Sequence, residues 1–207
     1  MTSDVRIEKV AAFITRDVEV GGVWQRELLV FRHANPLAGV QVPAGTVDPP
    51  ESPLAAVMRE VAEEAGLLEV EVVGEPVLAR LELLDAEWYL TLHGEGRAML
   101  SEHDLASPVV TIVRRDGDRV LLGGSNPDGS AVEWWASASA VTRDLRRWLF
   151  HLRATGDVLD SWSRAFDRTE PWSFYWVALD APSPLVGVQF GWFEEMRERL
   201  VAGRDGS

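Results

Sequence analysis

The stretch from Gly45 to Leu67 constrains this chain more than any other. It sets Gly45, then Glu51, then the run Arg59-Glu60-Val61-Ala62-Glu63-Glu64-Ala65-Gly66-Leu67. Ser52-Pro53 has the form of a helix start, with Ser52 as N-cap and Pro53 in the first helical position. Gly66 has the form of a stop. Between them Leu54, Val57, Met58, Val61 and Ala65 recur at helical spacing and define one apolar face. With Val61 at zero and about 100° per residue, Glu60, Glu63 and Glu64 fall roughly 60° to 160° to one side of it. Three carboxylates therefore share one flank of a half-buried helix.

Like charges that close repel and cost stability if left alone. A hard divalent cation removes the cost, because carboxylate oxygens are the ligands that Mg²⁺ and Mn²⁺ prefer. A bare E-x-x-E-E is usually a solvated helix face, and a lone Gly45 is usually a turn glycine. The context here is more specific. Gly45 lies where a short strand, Val40 to Pro43, turns toward the helix, and a residue without a side chain lets backbone come close to an ion or phosphate.

The nine specified positions resemble the Nudix box, G-x5-E-x7-R-E-U-x-E-E-x-G-U with U aliphatic, and none departs from it. The resemblance covers about two dozen residues closely and extends more loosely over Glu8 to Leu92 and Phe174 to Leu200. It implies an α/β fold, a Nudix-type α/β/α sandwich with a mixed β-sheet. It also implies a metal-dependent hydrolase that cleaves a nucleoside diphosphate linked to another group. Its metal ligands are expected to be Glu60, Glu63 and Glu64 with the Gly45 carbonyl. Arg59 is expected to orient a carboxylate, against the plainer reading of an exposed i,i+4 pair with Glu63. Glu51, favourably placed against the helix dipole, reads as structural first. The attacking group is a water, so no Ser, Cys or His nucleophile is needed, and a carboxylate takes its proton. Glu63 is either a further ligand or that base. Glu82, Asp85, Glu87, Glu95, Glu102 and Glu133 are equally open as outside donors. The alternative is a nucleotide-sensing Nudix-fold protein without turnover. Such sensors often carry a degraded box and a DNA-binding module, and this chain has an intact box and no basic segment.

Composition narrows the reading. There is no cysteine, which excludes thiolate metal sites and redox switches and disfavours the isomerase branch of the fold, which uses a catalytic cysteine. A formal net charge of -13 offers no electrostatic footprint for long nucleic acids. Small nucleotides are not excluded, because metal and a few arginines can meet their charge. The first ten residues lack an apolar core and no run approaches a membrane span, so a cytoplasmic protein is expected. Lys9 is the only lysine among 20 basic residues, a bias read as genomic rather than functional. An apolar content of 46% over 207 residues suits one domain, 1–207, with a mainly β insertion over about 94–144.

Along the chain, Glu8–Val20 and Val23–Arg32 read as strands joined at Gly21-Gly22. Val70–Leu83, Trp88–Leu92, Trp148–Leu152 and Phe174–Leu179 read as further strands. Pro108–Leu122 reads as a hairpin turning at Asp116-Gly117-Asp118, and residues 123–130 as a flexible loop. An amphipathic helix is expected from about Val188 to Leu200. Two residues are candidate substrate contacts. Arg32, ending the second strand, could clamp a phosphate. Trp135, read as following a Gly-rich loop, could stack on a base. Trp176 and Trp192 read as core, and His93, His103 and His151 as ordinary. No downstream marker for ADP-ribose or dinucleoside polyphosphate hydrolysis falls near Glu82 to Asp85, so the substrate stays open, as does self-association as a homodimer.

Overall fold

The computed structural model describes residues 6–33, 39–80, 85–90, 109–126, 128–165 and 171–202. The chain divides into two compact units, one of Met1–Glu8 with Arg80–Arg146 and one of Lys9–Ala79 with Arg147–Ser207.

The second unit is built on a mixed sheet. Strands β1 (Ile7–Val20) and β2 (Val23–Arg32) form a long antiparallel hairpin. Gly21 and Gly22 both take positive φ at its turn, 60° and 83°, the backbone that a tight two-residue hairpin turn requires. Two short strands, β3 (Val40–Gln41) and β4 (Ala44–Thr46), pair with β2 and β1 respectively. Helix α1 (Pro53–Glu60) follows and runs into a single π-turn, Val61–Ala65. Then come β5 (Val70–Val72) and β6 (Val77–Arg80). After the excursion through the first unit the chain returns as β12 (Leu145–Ala154), β13 (Ser161–Arg164), β14 (Trp172–Ala178) and helix α2 (Val188–Val201). Strand order is β13-β14-β2-β1-β12-β5, with β6 also pairing to β12.

Alternation along β1 makes the sandwich. Val10, Ala12 and Ile14 enter one core with Ala56, Val57, Val61 and Ala65 from α1 and the π-turn. Ala11 and Phe13 enter the other with Phe193, Met196 and Leu200 of α2. The period-2 pattern of a strand buried on both faces thus places one helix on each side of the sheet. The apolar stripe of α1 differs from expectation at two positions. Leu54 is 46% exposed, while Ala56, absent from the expected stripe, is fully buried.

The first unit holds a five-stranded antiparallel sheet of order β10-β9-β8-β7-β11. These are β7 (Glu87–Leu90), β8 (Val109–Asp116), β9 (Arg119–Ser125), β10 (Ala131–Ser137) and β11 (Val141–Thr142). The β8–β9 hairpin turns through Gly117-Asp118 as expected. The expected loop over 123–130 is shorter, because β9 continues through Gly123-Gly124 to Ser125 and Ser130 borders β10. Leu90, Val110, Leu122, Trp134 and Val141 form its core. No described helix is long and apolar enough to cross a membrane.

Candidate active site

The carboxylate cluster is assembled by three adjoining pieces, β4, the loop to α1, and the α1–π-turn segment. Ser52 caps α1, its Oγ accepting from Ala55 N at 3.2 Å, and Pro53 occupies the first helical position. Gly66 ends the π-turn at φ 74°, the left-handed conformation that glycine adopts without strain. The π-turn was not foreseen. It takes Glu63 and Glu64 out of the α-helical phase, a distortion found often at functional sites.

Arg59 gathers three of the carboxylates. Its Nε and Nη2 donate to the two Glu51 oxygens at 3.2 and 2.7 Å. Nη1 donates to Glu60 Oε1 at 2.9 Å and to Glu63 Oε2 at 3.2 Å. Nη2 also donates to the Thr46 carbonyl at 2.9 Å. Glu51 therefore acts as a brace. The Arg59 guanidinium, helped by the Asp48 N–H, holds its carboxyl below the usual carboxylate range, and its Oε1 accepts from Asp48 N at 2.8 Å.

Glu60 and Glu64 flank β4. Glu64 Oε2 accepts from Ala44 N at 3.0 Å, and Glu60 takes a backbone hydrogen bond from Thr46. Gly45 lies between them. A Cβ there would sit 1.9 Å from the Glu60 carboxylate, so any side chain at position 45 would push Glu60 out of place. Glu64 is only 9% exposed. Burial pushes its carboxyl up to about 8, reinforced by the charges of Glu60 and Glu63. Burial also raises Glu60, against the pull of Arg59. Among the described residues no Arg, Lys or His forms an ion pair with Glu64. Glu63 is 43% exposed.

These donors suit a hard divalent cation in kind. Among the described residues no three Asp, Glu, His or Cys side chains converge to hold an ion unaided. Mg²⁺ rarely needs that, because it keeps several waters and takes one or two carboxylates together with substrate phosphates. A buried carboxylate without a cationic partner, a second carboxylate on the other side of Gly45, and a backbone left bare of a Cβ fit that mode.

Lys9 is opposite Thr46 in the β1–β4 register. Its amine is lowered to about 8 by burial and by Arg147, while Glu60 acts in the opposite direction. The sequence set this lysine apart only by its rarity. Strand β13 also reaches the box. Arg164 and Trp162 donate to carbonyls of the π-turn, and no spacing rule links residues so far apart in the chain.

The remaining candidates are more dispersed. Arg32 is exposed at the end of β2, paired through its backbone with Val40 and Ser173. Trp135 lies in β10, within a strand rather than beyond a loop, with Arg114 and Arg119 over its ring at 5.0 and 5.6 Å. Asp85, Glu87 and Glu133 belong to the first unit, and Glu82, Glu95 and Glu102 lie outside the described residues, as do His93 and His103. His151 is buried, bonded through Nε2 to Thr15 Oγ1 at 2.9 Å.

A two-sided α/β sandwich whose glycine-bounded helix carries this cluster defines a recognisable class. The NUDIX domain profile matches residues 10–157. The chain belongs to the Nudix family. No curated protein sequence matches it significantly. Among solved structures it is similar to the Ap4A hydrolase of C. elegans, at 15% identity, covering 96% of this chain and 100% of that one with a TM-score of 0.42. It is similar to RenU, a Nudix hydrolase from M. smegmatis, at 14% identity, 93% and 84% coverage and a TM-score of 0.43. The NUDIX domain of Shewanella oneidensis NrtR complexed with ADP ribose matches at 14% identity, 96% and 91% coverage and a TM-score of 0.46.

Proposed function

We propose that this protein is a pyrophosphohydrolase that uses Mg²⁺ or Mn²⁺ to cleave a phosphoanhydride bond in a nucleoside diphosphate linked to another group. The observation that carries the reading is Glu64, a buried carboxylate beside Glu60 and Gly45, raised to about 8 and forming no ion pair with a cationic side chain among the described residues. A divalent cation, when bound, supplies Lewis acidity toward the diphosphate and toward water. Glu60 and Glu64 would hold it, together with the Gly45 carbonyl.

The side chains divide the remaining work. Arg59 holds Glu60 and Glu63 in fixed rotamers and is itself braced by Glu51. Glu63, the most exposed of the three box carboxylates on α1 and its π-turn, is the member placed to accept a proton from an attacking water or to join the ligand set. Arg32 and Trp135 complete the proposal as phosphate and base contacts. A single Nudix domain over 1–207 with an insertion at about 94–144, located in the cytoplasm, belongs to the same reading.

A substrate panel tests it. Nucleoside di- and triphosphates, nucleotide sugars, ADP-ribose, dinucleoside polyphosphates, NADH and coenzyme A would each be incubated with Mg²⁺, with Mn²⁺ and with chelator, and products resolved by chromatography. Metal-dependent release of a phosphate-bearing product from one class supports the reading. Nucleotide binding without any product would instead make the chain a sensor.

A further inference from the structure

The carboxylates sit at the wrong end of their helix. A helix C-terminus carries the negative pole of the backbone dipole and leaves its last carbonyls without partners inside the helix. Glu60, Glu63 and Glu64 add like charge to that pole. Arg59 offsets part of the side-chain charge at Glu60 and Glu63, but it donates to none of the carbonyls of the π-turn itself.

Strand β13 supplies those donors. Arg164 Nε donates to the Glu63 carbonyl at 2.9 Å and Nη2 to the Ala62 carbonyl at 3.3 Å. Trp162 Nε1 donates to the Ala65 carbonyl at 2.9 Å. Three of the five peptide carbonyls of the turn are thus bound from a strand about a hundred residues away. The guanidinium is fitted closely against the chain reversal. A Cβ on Gly66 would lie 2.3 Å from Arg164 Nη1, so a side chain there would displace the guanidinium, and the positive φ of 74° favours glycine independently. The indole is fixed in turn, stacked on Phe174 with ring centroids 5.3 Å apart and planes 7° from parallel. Trp162 also pairs with Phe174 in the β13–β14 register, so the grip is anchored to the central sheet.

We propose that Arg164 and Trp162 are positioning residues for the metal-binding carboxylates. They act through the peptide units that carry Glu63 and Glu64, and this rests on the reading of the box as the metal site. Arg164 is exposed, so its removal leaves the core intact. What changes is the backbone from which two carboxylates project. Outer groups that orient ligands typically change metal affinity about 10- to 100-fold when removed.

The test uses the full chain and Mn²⁺ alone, with free Mn²⁺ followed by electron paramagnetic resonance and thermal melting recorded on the same samples. Arg164→Ala and Trp162→Phe are expected to weaken Mn²⁺ binding, Arg164→Ala by about tenfold, with melting temperatures close to the parent. Arg164→Lys, which restores charge and one donor, is expected to recover part of the loss. Glu64→Gln serves as the control for the site. If Glu64→Gln abolishes binding while Arg164→Ala and Trp162→Phe bind as the parent does, the positioning role is wrong and the metal site stands. A drop in melting temperature with unchanged affinity would likewise make the strand's grip purely structural. If Glu64→Gln leaves Mn²⁺ binding unchanged, the metal site itself falls and the positioning role falls with it.

Discussion

Arg59 and Arg26 lie in the same unit, and their partners show how the proposed metal site differs from a structural lock. Arg26 is 4% exposed and makes a bidentate pair with Asp17, Nε to Oδ1 at 2.7 Å and Nη2 to Oδ2 at 2.9 Å. Its Nη1 donates to the Leu200 and Ala202 carbonyls at 3.0 Å each, closing the end of α2. One cation meets one carboxylate, one helix carbonyl and the carbonyl of the C-cap residue, and the pair's charge is balanced. Arg59 instead serves Glu51, Glu60 and Glu63 at once, with Glu64 buried alongside. Geometry is satisfied there and charge is not. A fold keeps such an excess only at a cost, and a cation or a substrate phosphate group carried by one removes it.

Substitutions can break that contrast at either end. On the proposed reading of Glu64 as a metal ligand, Glu64→Gln is expected to lower turnover roughly 100-fold or more, because it removes that charge at constant shape. The same change should leave the metal-free melting temperature unchanged or higher, since a desolvated carboxylate is lost. Steady-state kinetics and a thermal melt check both halves. Arg59→Lys replaces a planar fork by a point charge and is expected to reduce kcat by about 10- to 100-fold, with the stability loss small by comparison. Arg26→Met should do the reverse. It removes the donors that Arg26 gives Asp17, Leu200 and Ala202 and costs about 2–3 kcal/mol in urea unfolding, discounted because Asp17 is partly exposed, while turnover of the folded protein is unchanged.

The gentlest probe is pH. Glu64 is raised to about 8 in the folded chain, so its contribution is present below the ordinary Glu range and is lost as pH rises toward 8. His151 is lowered to about 4, chiefly by burial and then by Arg26 and Arg153. Its contribution is present above the ordinary histidine value and is lost as pH falls toward 4. The two slopes oppose each other at mildly acidic pH, and above about 6.5 that of Glu64 continues until Lys9, lowered to about 8, begins to oppose it. Metal-free stability should therefore decline across that upper window by at most about 1.4 kcal/mol per pH unit, and Glu64→Gln should flatten it. Denaturant melts at several pH values read this directly, and a decline of equal slope in Glu64→Gln would assign the effect elsewhere.

The box and its helix ends were legible because each rests on local chemistry. A capping serine, a proline at the first position and a terminal glycine act within a turn of the residues they control. The hairpin at Gly21-Gly22 was legible for the same reason. The two-faced burial of β1 follows from its nearly continuous apolar run, although the helix that covers each face does not. Other features depend on partners far away in sequence. The π-turn carries no local marker and its carbonyls meet donors from β13, and the three-residue and four-residue strands β4 and β13 carry too few residues for a periodic signal. Leu54 matched the helical period, yet it lies in the first turn of α1 and remains exposed, while the small Ala56 is what the core admits. Trp135 followed a glycine-rich stretch that extends as strand, because cross-strand pairing of Gly123 and Gly124 with Glu133 and Val132 overrides their low strand propensity. His151 gave no spacing signal and is buried by the inward phase of β12.

On the proposed reading the box holds negative charge that Arg59 does not balance and a divalent cation would, and this can be tested without knowing the substrate. Thermal melting of the parent and Glu64→Gln would be followed while Mn²⁺ is raised from zero to saturation. A ligand that binds only the folded state raises the melting temperature with its concentration. A saturable rise is expected in the parent and is expected to be lost or strongly reduced in Glu64→Gln. No rise in the parent, or the same rise in both proteins, would contradict it.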